Sequence, residues 1–182
     1  MARKRTIFKL VCCLLGGCLI LVAIALVRLK VDRQAALNAE YLVAIPPEVE
    51  QVRFQDGKYQ RGSSPFQEGF LVAEILNIKR ADLNSDGFRD TIVIAATNQG
   101  GSGSWISLSG SLGGEEKTIL IEPEPLGDRV DVRNISIERG SKGKAAVCLD
   151  MLVHGPNDAS CCPTQKQRAC FTLTGKRWIL IS

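Results

Sequence analysis

Oxygen-bearing side chains recur at alternate positions in Asp82-Leu83-Asn84-Ser85-Asp86-Gly87-Phe88-Arg89-Asp90, a D-x-N-x-D-G-x-x-D pattern. That spacing suits a hard divalent cation. Ca²⁺ takes about six to eight oxygens at roughly 2.3–2.6 Å, and Asp82, Asn84, Asp86 and Asp90 each offer one from the side chain. The backbone carbonyl of Phe88 and water would complete the shell. Gly87 permits the sharp turn that brings the first, third and fifth positions onto one ion. An EF-hand requires a bidentate Glu at loop position twelve, where this sequence has Val93 inside the apolar run Thr91 to Ala96. The stretch is therefore expected to hold Ca²⁺ without being an EF-hand. The competing expectation is an Asp/Asn/Gly-rich hairpin turn that binds no metal.

Sulfur chemistry lies elsewhere in the chain. Of the seven cysteines, Cys12, Cys13 and Cys18 sit in an apolar run, while Cys148, Cys161, Cys162 and Cys170 lie in the C-terminal third. An even set of four suits two disulfides in an oxidising compartment. Adjacent Cys161 and Cys162 lack the C-x2-C spacing of zinc sites, which disfavours a soft-metal site shared with His154. His154 is the one histidine. As a catalytic base it would draw on Asp150 or Asp158 and on Ser102, Ser104 or Ser160 as nucleophile. None of these serines lies in a G-x-S-x-G elbow. Gly100-Gly101-Ser102-Gly103 has no Lys-Ser/Thr after it and no evident helix, so it is expected to be a hairpin tip rather than a phosphate cradle.

The elements that must position these residues are mostly strands. The good helix formers Gln34, Ala35, Ala36, Leu37 and Ala39 predict a short helical stalk, ended by Pro46-Pro47. Val49 to Phe54 and Tyr59 flank Asp56-Gly57, which predicts a hairpin. Phe70 to Ile78 is a strand leading into the oxygen-rich loop. Thr91 to Thr97 reads as a strand buried on both faces. In Trp105 to Leu112, Ile106, Leu108 and Leu112 share one parity and Ser107, Ser109 and Ser111 the other, which predicts one wet face. Pro123 and Pro125 mark a connection after Lys117 to Ile121. The apolar phase slips between Val132 and Ile135, which predicts a bulge at Arg133-Asn134. Lys144 to Val153 and Arg168 to Thr174 alternate around a loop, and pairing Val153 with Gln165 sets Cys148 opposite Cys170. In that register Cys161 and Cys162 bond to each other, stay free or link to a partner; the alternative connectivity joins each loop cysteine to a strand cysteine. Arg177 to Ile181 is the last strand. The expected fold is mainly β, an antiparallel sheet of about eight strands forming a sandwich or a partly closed barrel.

Charge and hydropathy divide the 182 residues by position. Residues 1 to 33 carry seven Lys/Arg and one Asp, leaving sixteen Lys/Arg against eighteen Asp/Glu in residues 34 to 182. The basic excess belongs to the N-terminal segment, so nucleic-acid binding has no compositional support. Leu10 to Val27 is an eighteen-residue run without a charge, long enough to span a bilayer as a helix. Positive charge is denser before it than after it, which predicts a cytoplasmic amino end. Residues 1–33 are thus expected to be a membrane helix, a signal anchor or a signal peptide. Residues 34–47 would be a stalk and 48–182 an extracytoplasmic β domain. Ala23-Ile24-Ala25 offers a cleavage site and Leu15-Gly16-Gly17-Cys18 a lipobox-like one, so a secreted, periplasmic or lipid-anchored form is the alternative to a single-pass membrane protein.

The oxygen-rich loop followed at once by a strand resembles the calcium loops of FG-GAP repeats in integrin-type β-propellers, where the ninth-position Asp closes the site. The likeness covers one loop and one strand. No repeat of fixed period appears, so this chain alone does not build a complete propeller. Over a longer span, Ala81 to Trp105, Leu126 to Gly140 and Asp150 to Gly175 (with its HGPND and CCPT segments), together with Asn38-Ala39-Glu40-Tyr41, resemble a group of uncharacterised exported bacterial proteins and lipoproteins. That group has Gly where this chain has Ala81 and Ser85, Pro-Met where it has Ala159-Ser160, and no cysteine at the positions of Cys148 and Cys170. The resemblance implies architecture and location and carries no activity. The functional expectation is a calcium-binding, non-enzymatic module of the cell envelope, attached to the membrane by its N-terminal helix and meeting an envelope or extracellular partner. The alternative is an envelope hydrolase using His154.

Overall fold

The computed structural model describes residues 26–28, 30–115, 117–140 and 144–182. Within them the strands are β1 (Glu40–Ile45), β2 (Glu48–Arg53), β3 (Lys58–Arg61), β4 (Leu71–Ala81), β5 (Asp90–Asn98), β6 (Trp105–Leu112), β7 (Ile119–Asp128), β8 (Asp131–Arg139), β9 (Ala145–Val153), β10 (Gln165–Thr174) and β11 (Arg177–Leu180). All pairings are antiparallel, in three sheets ordered β1-β2, β3-β4-β5-β6-β7 and β11-β10-β9-β8. The fold is mainly β as expected. It differs in having eleven strands among the described residues and three open sheets rather than one sheet of about eight.

The five-stranded sheet is the middle layer, and β5 shows why. Its side chains alternate between two cores because successive residues of a strand point to opposite faces. Ile92 and Ile94 join Ile106, Leu108, Val147, Leu149, Phe171 and Trp178 in the core shared with the four-stranded sheet. Val93 and Ala95 join Tyr41, Val43, Val52, Phe54 and Leu71 in a second core under the β1-β2 hairpin. The expectation of a strand buried on both faces is met. In β4 the register shifts between Ile75 and Asn77. One extra residue reverses the facing of everything after it. Leu71 and Ala73 therefore pack under the hairpin, whereas Ala81 packs on the opposite side.

The wet face expected on β6 is not wet. Ser107, Ser109 and Ser111 are all buried, because the β1-β2 hairpin covers that face; the Ser109 hydroxyl donates to the Leu42 carbonyl. The stalk expected over residues 34–47 also differs. Helical residues end at Leu37 and β1 begins at Glu40, since Tyr41, Val43 and Ile45 alternate as core residues that helix propensity does not register. Pro46-Pro47 forms the β1-β2 turn. The hairpin expected around Asp56-Gly57 reduces to one bridge, Gln55 with Lys58. There the chain leaves the outer hairpin for the middle sheet, so β2 pairs with β1 and β3 with β4. Pro123 and Pro125 lie inside β7, an edge strand where a missing N–H is tolerated. The bulge falls between Val132 and Asn134, as the phase slip indicated.

Ala36–Ser182 form one compact unit. Of the expected membrane helix over Leu10 to Val27, residues 10–25 lie outside the described residues, and among the described residues no helix is long and apolar enough to cross a membrane.

Candidate functional site

The D-x-N-x-D-G-x-x-D stretch is the β4–β5 loop, and its own side chains hold it in shape. Asp82 Oδ1 accepts the N–H groups of Ser85 at 2.7 Å and Asp86 at 3.2 Å, and its Oδ2 accepts that of Gly87 at 3.0 Å. Such a fan of N–H groups around one carboxylate requires left-handed backbone turns, and φ is +64° at Ser85 and +87° at Gly87. Asn84 Oδ1 accepts the Asp86 N–H at 3.2 Å, the Asn84 amide donates to Asp86 Oδ2 at 2.7 Å, and Asp86 Oδ1 accepts the Phe88 N–H at 2.8 Å. Asp82, Asn84, Asp86 and Phe88 thus line one exposed turn.

Asp90 sits at the base of the loop and has no exposure. Its Oδ2 accepts the Leu83 N–H at 2.7 Å and its Oδ1 the Gly113 N–H at 2.9 Å. Burial pushes its pKa up, the two backbone donors oppose that shift, and the nearby Asp86 and Asp82 charges add to it. Three carboxylates grouped around one turn are the donor set a hard cation stabilises. In this structure, however, the only set of three His, Cys, Asp or Glu ligand atoms within 4.8 Å of one another, among the described residues, is Glu138, Cys148 and Cys170. Both sulfurs of that set are bonded to each other, so it is no metal site. The loop carboxylates are gathered less tightly than that, with Asp90 serving first as a strut. The oxygen donors fit Ca²⁺ by type, and each carboxylate keeps at least one lone pair beyond its N–H bonds, on Oδ2 in Asp82, whose Oδ1 already accepts two.

Gly113 is the partner that spacing could not reveal. A Cβ there would lie 2.6 Å from the Arg89 carbonyl oxygen, so the β6–β7 turn approaches the loop as closely as a backbone can. Its only sequence signal is the Gly113-Gly114 pair.

Cys148 and Cys170 are paired across β9 and β10, with Val153 opposite Gln165, the register that sets the two cysteines against each other. Their sulfurs are 2.06 Å apart. They lie on the face of the four-stranded sheet away from the main core, beside Ala146. Cys161 and Cys162 are bonded to each other in the β9–β10 loop.

Through Arg129 that loop is joined to the β5–β6 tip, at the end of β5 away from the oxygen-rich loop, and β5 has nine residues, roughly 25–30 Å at a strand rise of about 3.3 Å. Asp158 closes it, accepting from the Gly155 N–H at 2.8 Å, the Thr164 N–H at 2.7 Å and the Thr164 hydroxyl at 2.6 Å. The Thr164 hydroxyl, then the two backbone donors and the His154 charge, hold the Asp158 carboxyl below its ordinary value. Arg129 ties the loop to its neighbours: it bonds Asp128 Oδ2 at 2.7 Å, the Ser160 carbonyl at 2.8 Å and the Ser102 carbonyl. Ser102 belongs to the Gly-rich β5–β6 tip. Arg129 belongs to no sequence motif, and its positive φ of 50° in the β7–β8 turn aims it across three loops.

The acids named as partners for His154 hydrogen-bond to other residues, although the His154 charge still acts on Asp158. Asp150 bonds Arg168 at 2.7 Å and Asn134 at 3.1 Å, and Asp158 bonds Gly155 and Thr164. Ser102 and Ser160 contribute backbone carbonyls to Arg129 rather than hydroxyls to a histidine. The chain matches no protein-family model, no curated protein and no solved structure.

Proposed function

We propose that the chain is an exported, membrane-anchored calcium-binding β domain that serves the cell envelope as a binding or structural module. The observation that carries this is the β4–β5 loop, whose first, third, fifth and ninth residues are oxygen donors around Gly87 and whose first carboxylate organises three backbone N–H groups. Asp82, Asn84, Asp86 and the Phe88 carbonyl would hold the ion. Asp90 would contribute its charge from below while keeping Leu83 and Gly113 in place. Bound calcium supplies positive charge that offsets the mutual repulsion of the three carboxylates.

Export is supported by the Cys148–Cys170 disulfide, which persists in oxidising compartments, and by the basic-flanked apolar run of Leu10 to Val27. We read the module as acting by contact rather than catalysis, because no candidate serine lies in a nucleophile elbow and Asp150 is bonded to Arg168 and Asn134. The likeness to exported bacterial proteins and lipoproteins agrees with this location.

Calorimetric titration of the full-length protein with calcium chloride tests the site. Extracellular modules bind Ca²⁺ with dissociation constants of about 10⁻⁴–10⁻³ M, so heat is expected in that range, with little from magnesium and none for Asp86→Ala. Absence of heat at millimolar calcium rejects the site. A C-terminal alkaline phosphatase fusion tests export independently and should be active.

A further inference from the structure

The two disulfides differ in exposure and in the length of chain they close. Cys148 is 1% and Cys170 7% exposed, in the middle of a paired ladder. An attacking thiolate must reach a sulfur in line with the S–S bond, and the low exposure of both cysteines denies it that approach. Cys161 and Cys162 are both exposed, at the rim of a loop. The chemistry of closure differs too. The strand pair closes a long loop, with a sequence separation of 22, whereas the adjacent pair has a separation of 1 and restricts almost no chain entropy in the unfolded state. A disulfide that the fold does not shield and that stabilises the fold little belongs to the labile, catalytic or regulatory class.

The loop also has hydrogen bonds of its own that do not involve that bond. The Asp158 clamp to Gly155 and Thr164, the Arg129 bond to the Ser160 carbonyl, and the Cys162 N–H bond to the Ala159 carbonyl at 2.9 Å are all independent of sulfur. Two thiols released there would stay side by side. Re-closure is then local, as a reversible redox site requires.

We propose that Cys161–Cys162 is a thiol–disulfide exchange site that accepts two electrons from a dithiol, while Cys148–Cys170 is an inert structural staple. A thiolate of the dithiol attacks one sulfur of the pair, forming a mixed disulfide and releasing the neighbouring cysteine as a thiolate. The second thiol of the reductant, losing its proton, attacks its own sulfur in the mixed disulfide and releases the other cysteine. The protein ends as the Cys161/Cys162 dithiol with two protons taken up, and the reductant ends as its disulfide. Such a site fits an envelope domain that exchanges reducing equivalents with a dithiol partner. It does not depend on calcium, and its test is run in chelator so that the two proposals fail separately.

The full-length protein is equilibrated in buffers of graded reduced-to-oxidised dithiothreitol ratio, quenched with N-ethylmaleimide, and its adducts are located residue by residue by tandem mass spectrometry, which separates Cys12, Cys13 and Cys18 from the rest. Cys161 and Cys162 should be half-reduced at a ratio at least about tenfold lower than Cys148 and Cys170, a gap of about 30 mV or more. The far-UV circular dichroism should not change across that first step. The double variant Cys161→Ser, Cys162→Ser should lose the first step, keep the second, and melt at the wild-type temperature. Reduction of both pairs at one ratio, reduction of Cys148–Cys170 first, or reduction of Cys161–Cys162 only on unfolding would overturn the assignment. A lowered melting temperature in the double variant would do the same, because it would make the adjacent pair a staple.

Discussion

Asp90 Oδ1 accepts the Gly113 N–H at 2.9 Å and joins the first residue of β5 to the β6–β7 turn. With Oδ2 on the Leu83 N–H, one buried carboxylate fixes both the loop before β5 and the turn beside it. An asparagine at position 90 could accept only one of the two N–H groups and would set its own NH₂ against the other. A buried donor left unpaired costs about 1–3 kcal/mol. Asp90→Asn should therefore lower stability by that amount in urea denaturation with chelator present, where no ion contributes. An unchanged midpoint would show that the two bonds are not formed in solution.

The buried serines of β6 separate two effects. The Ser109 hydroxyl serves the Leu42 carbonyl, whereas the Ser107 hydroxyl is buried with no partner. Removing a bonded hydroxyl costs about 1 kcal/mol, and removing an orphaned one is neutral or stabilising. Ser109→Ala should lower the unfolding free energy by about 1 kcal/mol and Ser107→Ala should not. Equal losses would mean that Ser107 has a partner in solution.

These serines also mark where the sequence stops being informative. Apolar and polar residues alternate along β6, and alternation says which residues share a face but not what covers that face. The cover is β1 and β2, and over β1 helix propensity misleads, because Gln34 to Ala39 favour helix up to its first residue. The β9-β10 register, by contrast, is partly legible: both strands alternate around one loop, and a one-residue slip would bury the wrong face, although alternation leaves a two-residue slip open. In the loop, the donor types at 82, 84, 86, 88 and 90 could be read directly. The burial of Asp90 and its bond to Gly113 could not, since that partner is supplied from 23 residues away by a strand pairing that spacing does not encode.

Asp158 predicts a local acid transition. Its folded pKa is held below the ordinary 3.8, so the folded loop binds the proton less tightly than the unfolded chain does. The stability it lends is present above the unfolded value and is lost as pH falls through the lower, folded one. Amide exchange at Gly155 and Thr164 should accelerate below pH 3.8 relative to amides in β9, after correction for intrinsic rates. Asp158→Asn should exchange faster already at neutral pH and respond less to acid. Protection that follows β9 throughout would show that the clamp does not hold the loop.

The proposal that the β4–β5 loop holds calcium is tested most directly by the thermal melt of the full-length protein in calcium and in chelator. Ion binding to the folded state alone adds RT ln(1 + [L]/Kd), about 1.4 kcal/mol at ten times the dissociation constant. For a unit of this size that is a rise of a few degrees. The melting temperature should climb with calcium and return with chelator. Magnesium should substitute poorly because it keeps its water and demands near-octahedral geometry, and Asp86→Ala should melt at one temperature whatever the calcium. A wild-type melt indifferent to millimolar calcium and to chelator would make the loop a turn held by its own hydrogen bonds and nothing more.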